Sequence, residues 1–367
     1  MKVILDEVCE RESSNLKQSD VINSNGGYPI YGAAGYIGNV DFYHQGNPYI
    51  AVVKDGAGIG RATLLPAYSS VIGTMQYLIP KSNVLPEYLY YVIRNMHLEK
   101  YYTGATIPHI YFKDYKKETF NLSSIEEQRK IVDILGKVER IIEARTLEME
   151  QFNILIRARF VEMFGNPISN PKGWDKVILN DCLDSIDNGK SPICAGNARI
   201  GENPAILKLS AVSSGIYRPD ENKAIININD FIENAEVHNG DLLFTRKNTP
   251  ELVGMATYVF STPKNLMMPD LIFRLNTKEI CSKIFLWQLI NHNLFRGKVQ
   301  NIASGSAKSM SNISKERLGK MSIYLPPIEL QNQFAEFVKA TDKSKIVGFL
   351  KRTTDTEMYM SKFDSIL

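Results

Sequence analysis

The strongest constraint on the fold of this chain is a helix start that occurs twice. The segment IEEQRKIVDIL, residues 125–135, is followed 203 residues later by IELQNQFAEFV, residues 328–338. Each copy comes after a much longer stretch of quite different sequence. Because 367 residues exceed the size at which a single hydrophobic core keeps growing, the repeat predicts two domains, each followed by its own helix.

The first of these helices is predicted to be unusually long. The two serines before Ile125 can cap its start, and acidic residues follow in the first turn, where they favour the positive end of the helix dipole. Gly165 and Pro167 are the first residues that end the helical pattern. About 38 residues at roughly 1.5 Å each predict a rod of about 57 Å. Apolar residues recur along it at the spacing of a coiled-coil seam, at Ile131, Leu135, Val138, Ile142, Met149, Phe152 and Ile156.

The segments before the two helices read as short strands and turns, and they correspond to each other. WDKVILNDCLDSI parallels MKVILDEVCERES, and GDLLFTRKNTPELVGMATYV parallels NPYIAVVKDGAGIGRATLL. The second match aligns the glycines Gly60 and Gly254. The offset between the copies grows from 174 to 203, so the second domain carries 29 additional residues. Loop insertions of this kind usually change what a scaffold recognises.

These patterns predict an α+β fold with a pseudo-twofold internal repeat. Its parts are a β-rich domain at 1–122, a spacer helix at 123–164, a second β-rich domain at 165–325 and a C-terminal spacer helix at 326–367. The second helix has the poorer apolar seam. Since neither helix can bury its apolar stripe alone, we expect the two long helices to pair as an antiparallel coiled coil.

Composition excludes several classes of protein. With 44% apolar and 23% charged residues and no apolar run near 18 residues, neither a disordered chain nor a membrane span is predicted. The N-terminus reaches acidic residues too early for a signal peptide, so we expect a cytoplasmic protein. The four cysteines are scattered, and neither a disulfide framework nor a metal site is expected. Phosphate-loop, zinc-protease and serine-hydrolase motifs are absent from the sequence.

The positive charge is concentrated in one part of the chain. The net charge is only +3, but residues 165–325 carry 19 basic and 15 acidic side chains. Between Arg296 and Lys320, six basic residues face only Glu316. Such local asymmetry is compatible with a surface that contacts phosphates, and equally with a solvated face.

The repeated helix starts and the segment between them resemble a known family. SSIEEQRKIVDIL, PPIELQNQFAEFV and the intervening RARFVEMFGNPISNPKGWDKVILND are similar to the DNA-specificity (S) subunit of type I restriction-modification enzymes, and the resemblance covers essentially the whole chain. It implies two target-recognition domains that each read half of a split DNA sequence, held apart by two helices. It also implies a subunit that is not itself an enzyme. Two methyltransferase subunits and restriction subunits would be its partners, and S-adenosylmethionine, ATP and Mg would bind to those partners, so no cofactor is expected here.

Candidate DNA contacts lie on loops in corresponding places. FTRKNTPEL supplies Arg246, Lys247 and Asn248 after a strand, and VVKDGAGIGR supplies Lys54 and Arg61. Arginine and asparagine suit guanine and adenine edges, whereas lysine more often meets phosphate. The loops GATIPHI and GSAKSMSNIS also match by position. The remaining candidates are Tyr31, Thr106, His109, Lys208, Lys308 and Ser309.

Four residues at the helix starts are candidates of a different kind. Glu126, Gln128, Glu329 and Gln331 are better explained as residues that begin a helix than as a catalytic carboxylate set. The resemblance implies that their neighbourhood also faces the methyltransferase partners. We therefore predict partner contact at these four positions.

Two other functions stay open at this stage. DGAGIG could be a cofactor loop. However, the residues after it have the pattern of a strand, whereas a nucleotide-binding loop of this kind is followed by a helix. GNPYIAV resembles the Asn-Pro-Pro-Tyr loop of adenine methyltransferases but lacks the second proline. An enzyme with a degenerate motif is one alternative, and S-adenosylmethionine binding by the isolated chain would favour it. A scaffold for protein partners is the other, and it predicts no sequence preference among DNA duplexes.

Overall fold

The computed structural model describes residues 1–21, 24–104, 108–304 and 310–342. These residues form two compact units, one that begins at Met1 and extends to Thr146 and one from Leu147 onwards. Both units mix helices with small sheets, so the predicted α+β class is confirmed. No helix among the described residues is long and apolar enough to cross a membrane.

The described residues of the first unit contain nine strands. Their bounds are β1 Lys2–Ile4, β2 Cys9–Ser13, β3 Tyr28–Gly32, β4 Gly35–Val40, β5 Tyr49–Val53, β6 Ala62–Leu65, β7 Ser70–Val71, β8 Met75–Pro80 and β9 Thr119–Asn121. The helices are α1 Leu5–Val8, α2 Gln18–Val21, α3 Pro86–Asn95 and α4 Phe112–Tyr115, with a 3-10 turn at Leu98–Tyr101 and the start of the long helix α5, Ile125–Phe164.

The strands of the first unit form three small sheets. β1 pairs with β9, so the two ends of the domain are joined. Four antiparallel strands lie in the order β2-β8-β5-β6, and three lie in the order β4-β3-β7 with β3 and β7 parallel. Helix α3 begins with Pro86, a residue suited to the first helical position, and buries one face against the four-stranded sheet. The core of the first unit lies between that helix and that sheet.

Eleven strands lie in the part of the second unit that the structure describes. They are β10 Asp175–Ile178, β11 Leu183–Asn188, β12 Ala205–Leu207, β13 Asn222–Ala224, β14 Leu242–Thr245, β15 Lys247–Asn248, β16 Ala256–Tyr258, β17 Leu266–Met267, β18 Ile272–Thr277, β19 Ser311–Asn312 and β20 Ser322–Leu325. The helices that follow α5 are α6 Ser210–Ser213, α7 Lys283–Asn291, α8 Asn293–Asn301, α9 Lys315–Gly319 and α10, residues 328–342. Three 3-10 turns lie at Leu179–Cys182, Ile228–Asp230 and Glu233–Ala235.

The second unit repeats the topology of the first. β10 pairs with β20, four strands lie in the order β11-β18-β14-β16, and three lie in the order β13-β12-β17 with β12 and β17 parallel. Ala62 pairs with Val52 on the strand before it, and Ala256 pairs with Phe244 in the same way. The predicted internal repeat, including its alignment near Gly60 and Gly254, is therefore confirmed.

The additional residues of the second unit lie mainly in one connection. Residues 189–241 join β11 to β14 with 53 residues, whereas residues 14–48 join β2 to β5 with 35. The longer connection contains the 3-10 turns Ile228–Asp230 and Glu233–Ala235. The repeats thus share their sheets and differ most in a loop.

Helix α5 is continuous over 40 residues, which corresponds to about 60 Å at 1.5 Å per residue. It ends at Phe164 as predicted, and Gly165 follows in the left-handed conformation with φ of +78°. Ile131 is buried in the core of the first unit, and Phe160 is buried in the core of the second. Of the predicted C-terminal spacer helix, residues 328–342 are helical, and residues 343–367 lie outside the described residues.

Candidate nucleic-acid interface

A glycine in the left-handed conformation shapes the corresponding loop of each repeat. The amide of Gly60 donates to Val53 O at 2.9 Å, and the amide of Gly254 donates to Thr245 O at 2.8 Å. Their φ angles are +80° and +74°. A Cβ atom on Gly60 would lie 2.5 Å from the backbone nitrogen of Glu99. DGAGIG lies between strands β5 and β6, so it is a tight turn between two strands. The strand-like sequence after it predicts this arrangement.

The structure brings three side chains of the first repeat together. Lys54 Nζ lies 2.7 Å from one carboxylate oxygen of Asp55, and His109 Nδ1 lies 2.6 Å from the other. The backbone joins the same loops, because Ile110 N donates to Lys54 O at 3.0 Å. Lys54 and His109, which were predicted separately, therefore belong to one surface. Asp55, which links them, was not among the predicted contacts.

Arg61 and Tyr31 lie at the edge of this surface. The Arg61 guanidinium donates a hydrogen bond to Ala33 O in the turn between β3 and β4. The ring of Tyr31 is half-buried and lies 6.1 Å from the ring of Tyr36, whose side chain is 62% exposed. Tyr36, which was not among the predicted contacts, is the more accessible member of this aromatic pair.

Arg246 occupies the corresponding place in the second repeat. Its two terminal nitrogens donate to Asn188 Oδ1 and Asn312 Oδ1, both at 3.4 Å, and its Cζ lies 5.0 Å from the ring centre of Phe273. Within the described part of the chain its Nε is buried without a hydrogen-bond partner. Lys315 Nζ lies 5.8 Å from the same ring. The guanidinium plane is therefore held by an aromatic face and two amide oxygens.

The other candidates of the second repeat have different surroundings. Lys247 Nζ lies 4.0 Å from Asp270, and Lys208 is 3.6 Å from Glu221 on the connection after β12, away from the Arg246 loop in sequence. Asn248 is buried, and its amide donates to Ser213 Oγ at 2.8 Å. Its side chain is therefore engaged in a hydrogen bond within the fold. Thr106, Lys308 and Ser309 lie outside the described residues.

Backbone pairing shows which positions correspond. Asp55 bridges to His109 in the first repeat, and Lys247 pairs with Asn312 in the second. Ile313 N donates to Arg246 O at 2.8 Å, as Ile110 N does to Lys54 O. We call residues 54–61 with the described residues 103–104 and 108–110 the first loop pair, and residues 246–254 with the described residues 304 and 310–313 the second loop pair. The loop pairs have the same backbone arrangement and carry different side chains.

The two loop pairs differ in charge. Burial alone would disfavour the charged form of Asp55, but hydrogen bonds from Lys54 and His109 outweigh it and keep the pKa of Asp55 below its ordinary value. The carboxylate therefore balances Lys54. At the corresponding position the second loop pair has Lys247, and the oxygens nearest Arg246 belong to neutral amides. Lys247 itself lies 4.0 Å from Asp270, farther than the 2.7 Å between Lys54 and Asp55, so the loop pairs differ in how closely a carboxylate balances each lysine.

A polar cavity of about 660 Å³ lies beside the second loop pair. Asn188, Lys190, Arg274 and Lys315 line it, together with part of the longer connection of this repeat, residues 232–235. Arg274 is held by Asp187 and Asp241, each at 3.3 Å. The cavity is therefore lined both by the sheet, through Asn188 of β11 and Arg274 of β18, and by residues 232–235 of the longer connection.

Gln128 and Gln331 perform one structural task in both repeats. Gln128 accepts from Leu85 N at 2.8 Å and donates to Asn83 O and Ser123 O at 3.1 and 2.9 Å. Gln331 accepts from Ser282 N at 2.9 Å and donates to the backbone oxygens of residues 280 and 326 at 3.1 and 2.7 Å. Each glutamine is fully buried. It joins the start of a long helix to the start of the domain helix, α3 or α7.

This burial restricts where a protein partner could bind. Gln128 and Gln331 have no exposed surface, so the predicted contact with a partner can involve only the exposed residues beside them. Glu126, with 84% of its side chain exposed, and Glu329 are such residues. The alternative explanation, that the glutamines begin a helix, agrees with their hydrogen bonds. Among the described residues, no group of three or more His, Cys, Asp and Glu side chains is arranged to hold a metal ion.

Comparison with known families matches both repeats. The sequence model described as type I restriction modification DNA specificity domain covers residues 1–151 and 171–348. The chain belongs to this family. Each matched segment contains one loop pair and one buried glutamine, so the internal repeat corresponds to two copies of the specificity domain.

Individual relatives match smaller parts. The type I restriction enzyme EcoEI specificity subunit of Escherichia coli is 31% identical over 202 residues, 53% of this chain and 34% of that protein. The MjaIX specificity subunit of Methanocaldococcus jannaschii is 27% identical over 137 residues, 31% of each protein. The chain thus spans about a third of the length of these curated relatives.

A solved structure shares the fold. The S subunit of a type I restriction-modification system from M. genitalium covers 98% of this chain and 94% of its own, with a TM-score of 0.61 and 13% sequence identity. At this identity the likeness concerns the fold alone. It agrees with the two-repeat topology of the described residues.

Proposed function

We propose that this chain is the DNA-specificity subunit of a type I restriction-modification system. It reads an asymmetric, bipartite DNA sequence, one half with each repeat. The observation that carries the proposal is the presence of two loop pairs with the same backbone pairing and different side chains. Two similar scaffolds that carry different loops are suited to reading two different half-sites, whereas two identical loops would read a palindrome.

Arg246 is the best candidate for a base contact in the second repeat. A guanidinium whose plane is held by Phe273 and two asparagines can donate two parallel hydrogen bonds to the O6 and N7 atoms of guanine. Lys247 and Lys315 lie beside it and suit phosphate contacts, which position a protein on DNA without reading sequence. The second half-site is therefore expected to contain a guanine.

Helix α5 supports a fixed gap between the half-sites. Its 40 residues give about 60 Å, which corresponds to roughly 17 or 18 base pairs at 3.4 Å per pair. Salt bridges one helical turn apart, such as Lys137 with Asp133 at 2.6 Å, add modest local support. In the proposal this helix and its C-terminal counterpart form the spacer, whose length sets the gap.

The chain is proposed to position catalytic subunits without being an enzyme. Two methyltransferase subunits and the restriction subunits would supply S-adenosylmethionine, ATP and Mg chemistry, in the cytoplasm. Exposed Glu126 and Glu329 lie on the two helix starts, and their similar surroundings support two like partners, one for each repeat. The buried glutamines next to them would keep each partner surface fixed to its domain.

Mapping of methylated bases tests the proposal most directly. The chain is co-expressed with candidate methyltransferase subunits, and methylated adenines are located by sequencing. We expect one asymmetric split sequence with a constant gap, and no methylation when the chain is omitted. Methyl transfer by the chain alone would favour an enzyme. Binding without sequence preference at moderate salt would favour a protein scaffold.

A further inference from the structure

At the positions of Asp55 and His109, the first loop pair carries hydrogen-bonding groups that differ in character from those at the corresponding positions of the second, Lys247 and Asn312. We propose that Asp55 is a positioning residue that fixes the proton of His109 on Nδ1, so that the first repeat offers His109 Nε2 as a hydrogen-bond acceptor to an exocyclic amino group of adenine or cytosine. This inference rests on the proposed function and deepens it. It assigns the class of base that one residue reads.

The assignment of the proton follows from the neighbours of Asp55. One carboxylate oxygen is bound by Lys54 at 2.7 Å and the other by His109 Nδ1 at 2.6 Å. An ionised carboxylate only accepts hydrogen bonds, so Nδ1 must carry a hydrogen. In neutral imidazole the other nitrogen then has a free lone pair. Nε2 of neutral His109 is therefore an acceptor.

His109 is held firmly enough to define a direction. Its backbone exchanges two hydrogen bonds with Thr103, at 2.9 and 2.8 Å, and Pro108 O accepts from Gly56 N at 2.9 Å. The imidazole stacks on the ring of Tyr111 with 6.3 Å between centres and 21° between planes. About a third of the side chain, 36%, is exposed. Nε2 has no hydrogen-bond partner among the described residues, so it is available to a ligand.

The chemistry of the major groove selects the ligand. The hydrogen-bond donors that base edges present there are the N6 amino group of adenine and the N4 amino group of cytosine. Guanine and thymine present acceptors at the corresponding atoms, and two acceptors facing each other would leave both unsatisfied. An acceptor at Nε2 therefore favours adenine or cytosine.

The second repeat shows the opposite arrangement. Lys247 stands in the place of Asp55, and Asn312 stands in the place of His109. The amide oxygen of Asn312 accepts from Arg246, so the groups that remain at this place are donors, the guanidinium and the Asn312 amide nitrogen. One repeat thus offers an acceptor and the other offers donors at corresponding places.

Replacing Asp55 by asparagine changes the tautomer without removing His109. The amide has one oxygen, and Lys54 can only donate, so the oxygen faces Lys54 and the amide nitrogen faces His109. Nδ1 must then accept, and the hydrogen moves to Nε2, which becomes a donor. Asp55→Asn should therefore change the class of base that is preferred from amino to keto.

The test is a selection of DNA by the assembled complex. After the site has been mapped, the first half-site is randomised and bound sequences are compared between variants. The wild type should prefer adenine or cytosine over guanine and thymine by about tenfold at one position. His109→Ala should lose that preference, and Asp55→Asn should move it to guanine or thymine. Asp41→Asn, an exposed carboxylate outside the loop pairs, should leave it unchanged.

The outcomes separate this inference from the proposed function. If the wild-type complex selects no split sequence, the proposed function fails. If it does select one, but Asp55→Asn and His109→Ala keep every base preference of the first half-site, only the role of His109 is refuted. His109→Asn, which carries the side chain of the second repeat, serves where alanine prevents folding. Retention of the amino-base preference by Asp55→Asn with a shift only in thermal stability would mean that Asp55 is merely structural.

Discussion

The two repeats have the same strand order and similar buried positions, but they differ in the side chains of their surface loops. Both order their strands in the same way, both close a loop with a left-handed glycine, and both bury one glutamine at the helix start. At the loop pairs, however, lysine, aspartate and histidine in the first repeat correspond to arginine, lysine and asparagine in the second. The two repeats therefore keep one scaffold while they carry different side chains at corresponding loop positions.

The buried glutamines show how specific the shared scaffold is. Each amide satisfies one backbone N–H and two backbone C=O groups that belong to two different segments. Buried backbone groups without partners are costly. A single side chain therefore links the start of the helix to the rest of its domain in each repeat.

Replacing either glutamine by leucine is expected to have the largest effect. Gln331→Leu keeps the volume but leaves Ser282 N and two carbonyl groups without partners, which should lower the free energy of unfolding by roughly 3–5 kcal/mol. Gln128→Leu should cost a similar amount. Chemical denaturation followed by circular dichroism measures both.

The neighbouring glutamates provide matched controls. Glu126→Ala and Glu329→Ala, at exposed positions of the same turns, should change stability by less than about 0.5 kcal/mol. A loss of stability for only one of the two glutamine variants would contradict the equivalence of the repeats.

The glycines Gly60 and Gly254 sharpen the comparison, because their surroundings differ. An added Cβ meets the backbone at Glu99 in the first case, at 2.5 Å, and a side-chain methyl of Val299 in the second, at 2.4 Å. Since a methyl can move more easily than a backbone, Gly60→Ala should cost about 2–4 kcal/mol and Gly254→Ala less. Gly56, with φ of +87° and no atom within 4 Å, is the control for backbone strain alone. Equal losses for all three would show that crowding is unimportant.

The sequence predicted the scaffold well because its signals are local or repeated. The end of α5, the proline at the start of α3 and the alignment of Gly60 with Gly254 were all readable from the sequence. The role of the glutamines was readable too, since IEEQ and IELQ place them at the same position of the repeated helix start. It was missed because charged and polar residues at a helix start are normally exposed.

The side chains around the candidate site could not be predicted in the same way. Asn188 and Asn312 reach Arg246 from 58 and 66 residues away, and His109 reaches Asp55 from 54 residues away. Phe273 lies under Arg246 only because β14 and β18 are neighbours. Contacts of this kind depend on which loops the sheet brings together. Residue type and local spacing indicated Arg246, but they could not identify its partners.

The surface of the second loop pair can be tested with a conservative change. Arg246→Lys keeps the charge but loses the planar pair of donors, so discrimination for guanine in the second half-site should fall by about 1–3 kcal/mol. Lys315→Ala should weaken binding to all sequences about equally and reduce the salt dependence by about one counterion. Binding titrations at several salt concentrations distinguish the two. If Arg246→Lys weakens binding to all sequences equally, Arg246 contacts phosphate.

The smallest expected effect concerns two buried cysteines. Cys182 and Cys281 lie in the core of the second unit, and backbone pairing places Val8 and Val84 at the corresponding positions of the first. The hydrogen bond between the thiols, together with burial, raises the pKa of Cys281. It therefore stays a neutral thiol, and a buried neutral thiol packs like a small apolar group.

The valines of the first repeat therefore predict that the second repeat tolerates valine at the positions of Cys182 and Cys281. The double variant Cys182→Val, Cys281→Val should change the free energy of unfolding by less than about 1.5 kcal/mol, because it places the side chains of one repeat in the core of the other. Val8→Ala with Val84→Ala, which leaves space unfilled, should cost more. If the valine pair cost as much as the alanine pair, the two cores would differ in shape, and their likeness would be limited to the backbone.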